Sequence, residues 1–315
     1  MKLDTHVHTV HSGYSTIKPL HRVMRESYNT VEGVYRRAKS RGMDLVAITD
    51  HDTIDGALCI ADRPDVIIGC EVTGVFPTDG VRVHLGVIGL NERQHREIQR
   101  VRHDITELLP YLKSEQLFTS LNHVASRING SITAPHIAAL LPWIDGVEIR
   151  NGSRMTSQNR TAAALAAAHG KVGIGGSDSH TDRGIGRTWI EARGAKNREE
   201  FLRALKAGQV SVGGGEGHYF TMASDICRMA TGFYLDRMRL LIASPSDWKR
   251  HAMLAGGLLG LPLVAIPLAL ALGHFILEER FNRDLLVDLV ARPTGRGQTT
   301  LGRFAAELPA TMEVG

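Results

Sequence analysis

Cysteine is scarce in this chain of 315 residues, and the three present, Cys59, Cys70 and Cys227, stand far apart. That spacing excludes a disulfide framework and a zinc knuckle, and it leads us to expect reduced thiols in an intracellular setting. A large charge excess is also lacking. Lys and Arg number 37 against 33 Asp and Glu, a net charge of +4, so the alkaline pI gives no reason by itself to expect a nucleic-acid binder. No low-complexity tract or internal repeat interrupts the chain, and no apolar leader precedes Lys2, Asp4, His6 and His8, so the catalytic part is expected to stay in the cytoplasm. A P-loop, a dinucleotide fingerprint and a Ser-His-Asp nucleophile are missing too, which sets aside several enzyme classes. What remains is 43% apolar content, enough to bury one large core or one core plus an appendage.

Through the first two thirds, short β-branched runs alternate with amphipathic helical patterns, the signature of an α/β fold around a parallel sheet. Expected strands are 45–49, 66–70, 83–88, 146–149 and 172–175. Thr30 can cap a helix that runs through Val34 and Ala38 to Gly42; Asn197 with Glu200 resembles a capping box; and the alanine-rich run 161–168 ends at Gly170. Chemistry-capable side chains fall just after the apolar runs: Thr49-Asp50-His51-Asp52, Glu71, Asn122-His123, Arg150-Asn151 and Ser177-Asp178-Ser179-His180. Carboxyl ends of parallel strands converge on one face, so a barrel-like arrangement would gather these side chains in one basin.

His6 and His8 are one residue apart, so on a strand both rings would project from the same face, as two ligands of one cation require. Two surface histidines is the competing reading for that pair alone. Adding His51, Glu71, His84, His123, Asp178 and His180 gives a mixed imidazole and carboxylate set suited to zinc, manganese or iron. It exceeds the needs of a single tetrahedral ion. Two or three divalent metals are expected, with Glu71 as a bridging carboxylate.

The motifs Asp4-Thr5-His6-Val7-His8-Thr9, Ile48-Thr49-Asp50-His51-Asp52, Gly69-Cys70-Glu71 and Gly176-Ser177-Asp178-Ser179-His180 resemble the PHP (polymerase and histidinol phosphatase) family over residues 1 to about 215. The resemblance implies a distorted seven-stranded β/α barrel of TIM-like form, a di- or trinuclear site, and mostly phosphoester hydrolysis. It also implies a ligand set: His6, His8, Glu71 and Asp178 for one metal; Glu71, His84 and His123 for a second; His51 with His180 for a third. Family members with a full third site usually offer a further Asp or His beyond the H-x-H pair. Here the stretch reads Thr9-Val10-His11-Ser12-Gly13-Tyr14, and His11 is the candidate stand-in.

Bound cations lower the pKa of water from about 15.7 towards about 7, which would supply a hydroxide nucleophile, and a positive basin suits a phosphate ester. Asp50 and Asp52 flank His51 and could orient it or relay a proton, although Asp52 could equally cap a helix starting near Thr53. Arg150 with Asn151 could hold a phosphate bidentately, and Arg183 and Arg187 are further candidates. The expected substrate is a small phosphorylated molecule, with nucleotides and short 5′-phosphorylated oligonucleotides among the options. A related amidohydrolase and a non-catalytic metal-binding membrane adaptor are the alternatives. Nothing in the sequence indicates an oligomeric state.

The composition shifts near Gly213-Gly214-Gly215-Glu216-Gly217, which divides the chain into a catalytic domain (1–215), a helical connector (216–252), an apolar segment (253–277) and a polar tail (278–315). The apolar segment carries no formal charge and is expected to span or re-enter a membrane, with Lys249, Arg250 and His251 on the cytoplasmic side and Pro262 and Pro267 as kink points. A buried core helix or an oligomer contact is the alternative. A cytoplasmic catalytic domain attached to the inner face of a membrane follows from the first reading.

Overall fold

The computed structural model describes residues 1–15, 24–127, 132–243, 252 and 265–291. Its centre is a curled, half-barrel sheet of six strands in sequence order: β2 (Val46–Ile48), β3 (Val66–Val75), β4 (Arg82–Ile88), β5 (Phe118–Leu121), β6 (Gly146–Asn151) and β7 (Val172–Gly176). A separate antiparallel sheet joins β1 (Lys2–Leu3), β8 (Thr188–Glu191) and β9 (Ser211–Gly214). The described strands therefore divide six and three, not as one seven-stranded ring.

The large sheet is mixed where a parallel one was expected. β2 and β3 run parallel, as do β5, β6 and β7, but β4 runs antiparallel to both of its neighbours. The cause is local. Between β3 and β4 the chain has only a tight turn, in which Gly80 adopts φ +76° and Asp79 accepts a hydrogen bond from Val81 N. A connection that short can join only antiparallel neighbours.

Helices α1 (Val31–Ser40), α2 (Asp55–Leu58), α3 (Glu92–Val101), α4 (Ile105–Ser114), α5 (Ala134–Leu140), α6 (Thr156–Ala168) and α7 (Arg198–Lys206) surround the strands. Thr30 caps α1 by accepting from Gly33 N, and Asn197 caps α7 by accepting from Glu200 N. Between the sheet and the helices lies a core in which Cys70, Val72, Leu85, Val87, Leu121 and Val147 meet Ile98, Leu108 and Leu165. Strands buried on both faces need such apolar runs, and burial drives the assembly.

Two long helices follow, α8 (Tyr219–Ala243) and α9 (Ala265–Ala291). Among the described residues the structure does not support the expectation of a strongly apolar, membrane-crossing extension. Residues 253–264, with Pro262, lie outside the described residues, as does the basic cluster Lys249-Arg250-His251. Residues 265–277 are the first half of α9, which continues through Glu278, Glu279, Arg280, Arg283, Asp284 and Asp288 and so crosses the expected division at 277/278. Its Leu285 and Leu289 enter the main core, while Ser157 Oγ donates to Glu279 and Ala134 N donates to Asp288. The second half of α9 is thus docked on the domain, whereas Leu272, Ile276 and Leu277 of its first half are exposed. Among the described residues no helix is long and apolar enough to cross a membrane.

Candidate metal centre

The segment after β1 is extended and buried. Val7 pairs in parallel with Ser179, so His6 and His8 fall on the same side of it, beside the end of β7. Asp4 fastens this arrangement: it accepts from His6 N and Ser177 N at one oxygen and from Gly186 N at the other. Burial pushes the Asp4 carboxyl up to about 6 even though these donors favour its charge. Gly176 makes the close approach possible, because a Cβ there would stand 2.4 Å from His6 Cβ and 2.7 Å from His6 N.

The other ligand candidates come from neighbouring strand ends. His51 bridges in parallel to Glu71 of β3, His123 follows β5, and Asp178 follows β7. His84 comes from β4, paired opposite Thr73. Because β4 is reversed, its early residues lie where the parallel strands finish, and His84 reaches the same basin.

Side-chain geometry brings all of these together. His6 Nε2 lies 3.2 Å from Glu71 Oε2 and 3.6 Å from Asp178 Oδ1; His8 Nε2 lies 3.4 Å and 3.6 Å from the same two atoms. A tetrahedron with metal–ligand bonds near 2.1 Å has edges of about 3.4 Å. His6 Nε2, His8 Nε2 and Glu71 Oε2 are also buried without a hydrogen-bond partner, which is costly unless a cation completes them. Behind them, His6 Nδ1 meets Glu148 Oε1 at 2.9 Å and His8 Nδ1 meets Ser12 Oγ at 3.1 Å, contacts that leave the inner ring nitrogens free to ligate. The residues present fit a divalent metal.

Ligand atoms converge in further groups: His51 with Glu71 and His84, His8 with His51 and His180, and His6 with His123 and Asp178. Glu71 takes part on both sides, with Oε2 3.1 Å from His51 Nδ1 and Oε1 2.9 Å from His123 Nε2. His51 thus lies close to the Glu71–His84 pair as well as to His180. His11 joins no convergent group among the described residues.

The field of the cluster follows from its charges. Burial opposes charge on His6 and His8, but the surrounding carboxylates outweigh it, raising His6 well above its usual range and His8 to about 9. Burial, reinforced by His8, drives His51 well down and His180 to about 3. Burial would raise Glu71 and Asp178, yet the imidazoles around both, with Arg154 beside Asp178, hold them well below the carboxylate range.

The expected catalytic side chains fare differently. Asp52 lines the cleft, but its oxygens are engaged by Thr73 N and by Arg102 at 3.0 Å. Asp50 is turned behind His51, where it accepts from Thr9 N, Thr9 Oγ1 and Ser12 Oγ, so it braces the ligand segment rather than facing substrate. Arg150 is set apart, donating to Gly214 O with Glu216 3.7 Å away. A register shift between Glu148 and Arg150 leaves Ile149 unpaired and reverses the alternation of faces, so Asn151 takes the inward place and bonds Glu148 and Asp178. Arg183 and Arg187 line a separate small cavity with Asp225.

Asn122, expected beside the site with His123, donates to Glu71, and two further residues there were not singled out in the sequence: Glu148 behind His6, and Arg154, whose Nη2 donates to Asp178 Oδ2 at 3.0 Å. His51, Glu71, His84, His123, Asp178 and His180 floor an open cleft of about 400 Å³, walled in part by Tyr14, Glu26, Arg82, Arg102 and His103.

Residues 156–210 match the family model described as PHP-associated. Over 77 residues, 23% of this chain, it is 38% identical to an uncharacterized protein of Methanocaldococcus jannaschii, and the match spans 44% of that relative's own length. Among solved structures, a protein of Bifidobacterium adolescentis provisionally called a metal-dependent phosphoesterase is similar at 16% identity and a TM-score of 0.43, covering 66% of this chain and 96% of that one. A lesion-specific endonuclease of Pyrococcus furiosus is similar at 17% identity and a TM-score of 0.46, covering 67% of this chain and 57% of that one. Likenesses this distant say nothing of what this chain acts on.

Proposed function

We propose that the chain hydrolyses a phosphoester, with His6, His8, His51, Glu71, His84, His123, Asp178 and His180 holding two or three divalent cations such as manganese, zinc or iron. The observation that carries this reading is the convergence of buried ligand atoms, with His6 Nε2 and His8 Nε2 each within 3.6 Å of both Glu71 Oε2 and Asp178 Oδ1. Divalent cations held there would lower the pKa of bound water and neutralise charge on a phosphoryl group. The chain adds fixed positive charge of its own: Arg154 beside Asp178, and Arg102, anchored by Asp52, on the cleft wall. Preorganised cations of this kind favour an anionic substrate whose charge is spread in the transition state. The open cleft has room for a nucleotide or the end of a short oligonucleotide. Residues 1–215 form the catalytic unit in this reading, with α8 and α9 as its cover.

The test is a manganese-supplemented screen of phosphoesters beside a panel of amides, on the wild type, His8→Ala and Asp178→Ala. Phosphoester hydrolysis is expected in the wild type and a loss of at least about 100-fold in both variants. Turnover confined to the amides, or phosphoester hydrolysis that survives both substitutions, would overturn the assignment.

A further inference from the structure

Glu278 lies on α9, a hundred residues beyond the last ligand candidate, and yet it is among the most buried charged residues of the molecule, at 1% exposure. A carboxylate so deeply buried on a docked helix needs a physical reason, since burial without compensation is expensive. Its Oε2 accepts from Arg127 N at 3.1 Å and from Gln158 Nε2 at 2.7 Å, and the same Gln158 amide donates to Ala125 O at 3.0 Å. Arg127 and Ala125 belong to the described segment 123–127 that begins at His123. That loop is under backbone strain at the ligand itself, for His123 holds φ +28°, a conformation side-chain-bearing residues rarely adopt.

A second connection runs to Asp178. Arg154, nine-tenths buried, gives Nη2 to Asp178, while its Nε is buried without a hydrogen-bond partner. Glu278, together with Asp178 and Glu148, keeps the Arg154 guanidinium firmly cationic against the cost of burial. The remaining Glu278 oxygen, Oε1, has no hydrogen-bond partner and lies 3.7 Å from His274 Nε2 on its own helix.

We infer that Glu278 is a positioning residue of the metal centre: from α9 it clamps the backbone after His123 and so sets the ligand geometry of a site it does not touch. This inference rests on the metal-centre reading above. It gives α9 a function beyond covering the core, because undocking the helix would release the His123 loop and loosen the site. Glu279, the next residue, supplies a natural control. It also docks α9 on α6, through Ser157, and carries the same charge, but among the described residues no hydrogen bond or ion pair joins it to the loop.

The experiment is calorimetric titration of Mn²⁺ into the metal-free full chain, for the wild type, Glu278→Ala, Glu278→Gln and Glu279→Gln, below the melting temperature of each. Partners behind metal ligands typically influence affinity by about 10- to 100-fold, and roughly the lower end is expected for Glu278→Ala, with Glu278→Gln between it and the wild type. Glu279→Gln should stay within about two-fold of the wild type, since it removes an equal charge without opening the clamp. Amide hydrogen exchange over residues 123–127 should accelerate in Glu278→Ala alone. Wild-type binding with Glu278→Ala unchanged would overturn this inference and leave the metal centre standing. Equal weakening by the 278 and 279 variants would overturn it too, by reducing the effect to charge or general docking. A wild type that binds no divalent cation would overturn both readings.

Discussion

Arg154 and Asp178 form a buried pair in which the arginine holds one carboxylate oxygen at 3.0 Å, while the other oxygen stands 3.6 Å from both His6 and His8. The arginine therefore fixes which Asp178 oxygen is presented to a cation. Arg154→Met keeps much of the length and removes the donor. Removing a positive charge should by itself help a cation to bind, but the loss of orientation at Asp178 is expected to dominate, weakening Mn²⁺ by about 10-fold or more. Calorimetry on the metal-free protein measures it, and unchanged affinity would refute the role.

The metal-free protein should lose stability as the medium becomes more alkaline. His8 is raised to about 9 in the folded state from an ordinary 6.5, so its contribution is complete below 6.5 and disappears as pH rises through 9. Its size is of order 3 kcal/mol. A cation needs the neutral ring, so the rise in melting temperature on adding Mn²⁺ should grow from pH 6 to pH 9. Thermal melts with and without metal across that range decide the matter.

Arg150→Ala should leave hydrolysis within about two-fold of the wild type, because that guanidinium is committed to Gly214 and Glu216 outside the cleft. A large loss in kcat would return Arg150 to the site.

Two glycine substitutions should separate crowding at the ligands from backbone strain elsewhere. Gly176→Ala drives a methyl group into His6 and should cost about 1–3 kcal/mol while also weakening metal binding. Gly170→Ala meets nothing within 4 Å but sits at φ +59°, so it should cost about 1 kcal/mol and leave metal affinity alone. Melting temperature and Mn²⁺ affinity, measured on both, make the distinction.

The ligand types were legible in the sequence because histidines and carboxylates follow apolar runs, and convergence of strand ends needs only that local pattern. His84 was an exception, taken from within an expected strand, and the reversal of β4 that delivers it to the basin was not legible. The placement of Arg150 away from the cluster has a single cause. Regular alternation would put Arg150 on the inward face with Glu148, and the unpaired Ile149 breaks it. Glu148 itself, between Val147 and Ile149, looks like an ordinary polar position of a half-buried strand, and only the fold sets it behind His6. Arg154 belongs to the loop before α6, where nothing in its neighbours marks it as the partner of Asp178. For the apolar run from 253, composition alone does not distinguish a helix that enters lipid from one that docks on its own domain; its described part, from 265, continues into a helix whose Glu278 is buried.

Asp52, His123 and Asp178, all placed in the cleft, hold φ values of +54°, +28° and +49°. Each left-handed residue with a side chain costs of order 1 kcal/mol relative to glycine, so the polypeptide is locally at odds with its own most relaxed sequence at these three positions. Selection for thermostability alone would drift them towards glycine, erasing ligands and the anchor of Arg102. The chain thus trades backbone ease for chemistry at these turns, and stabilisation of this protein by engineering should leave them untouched.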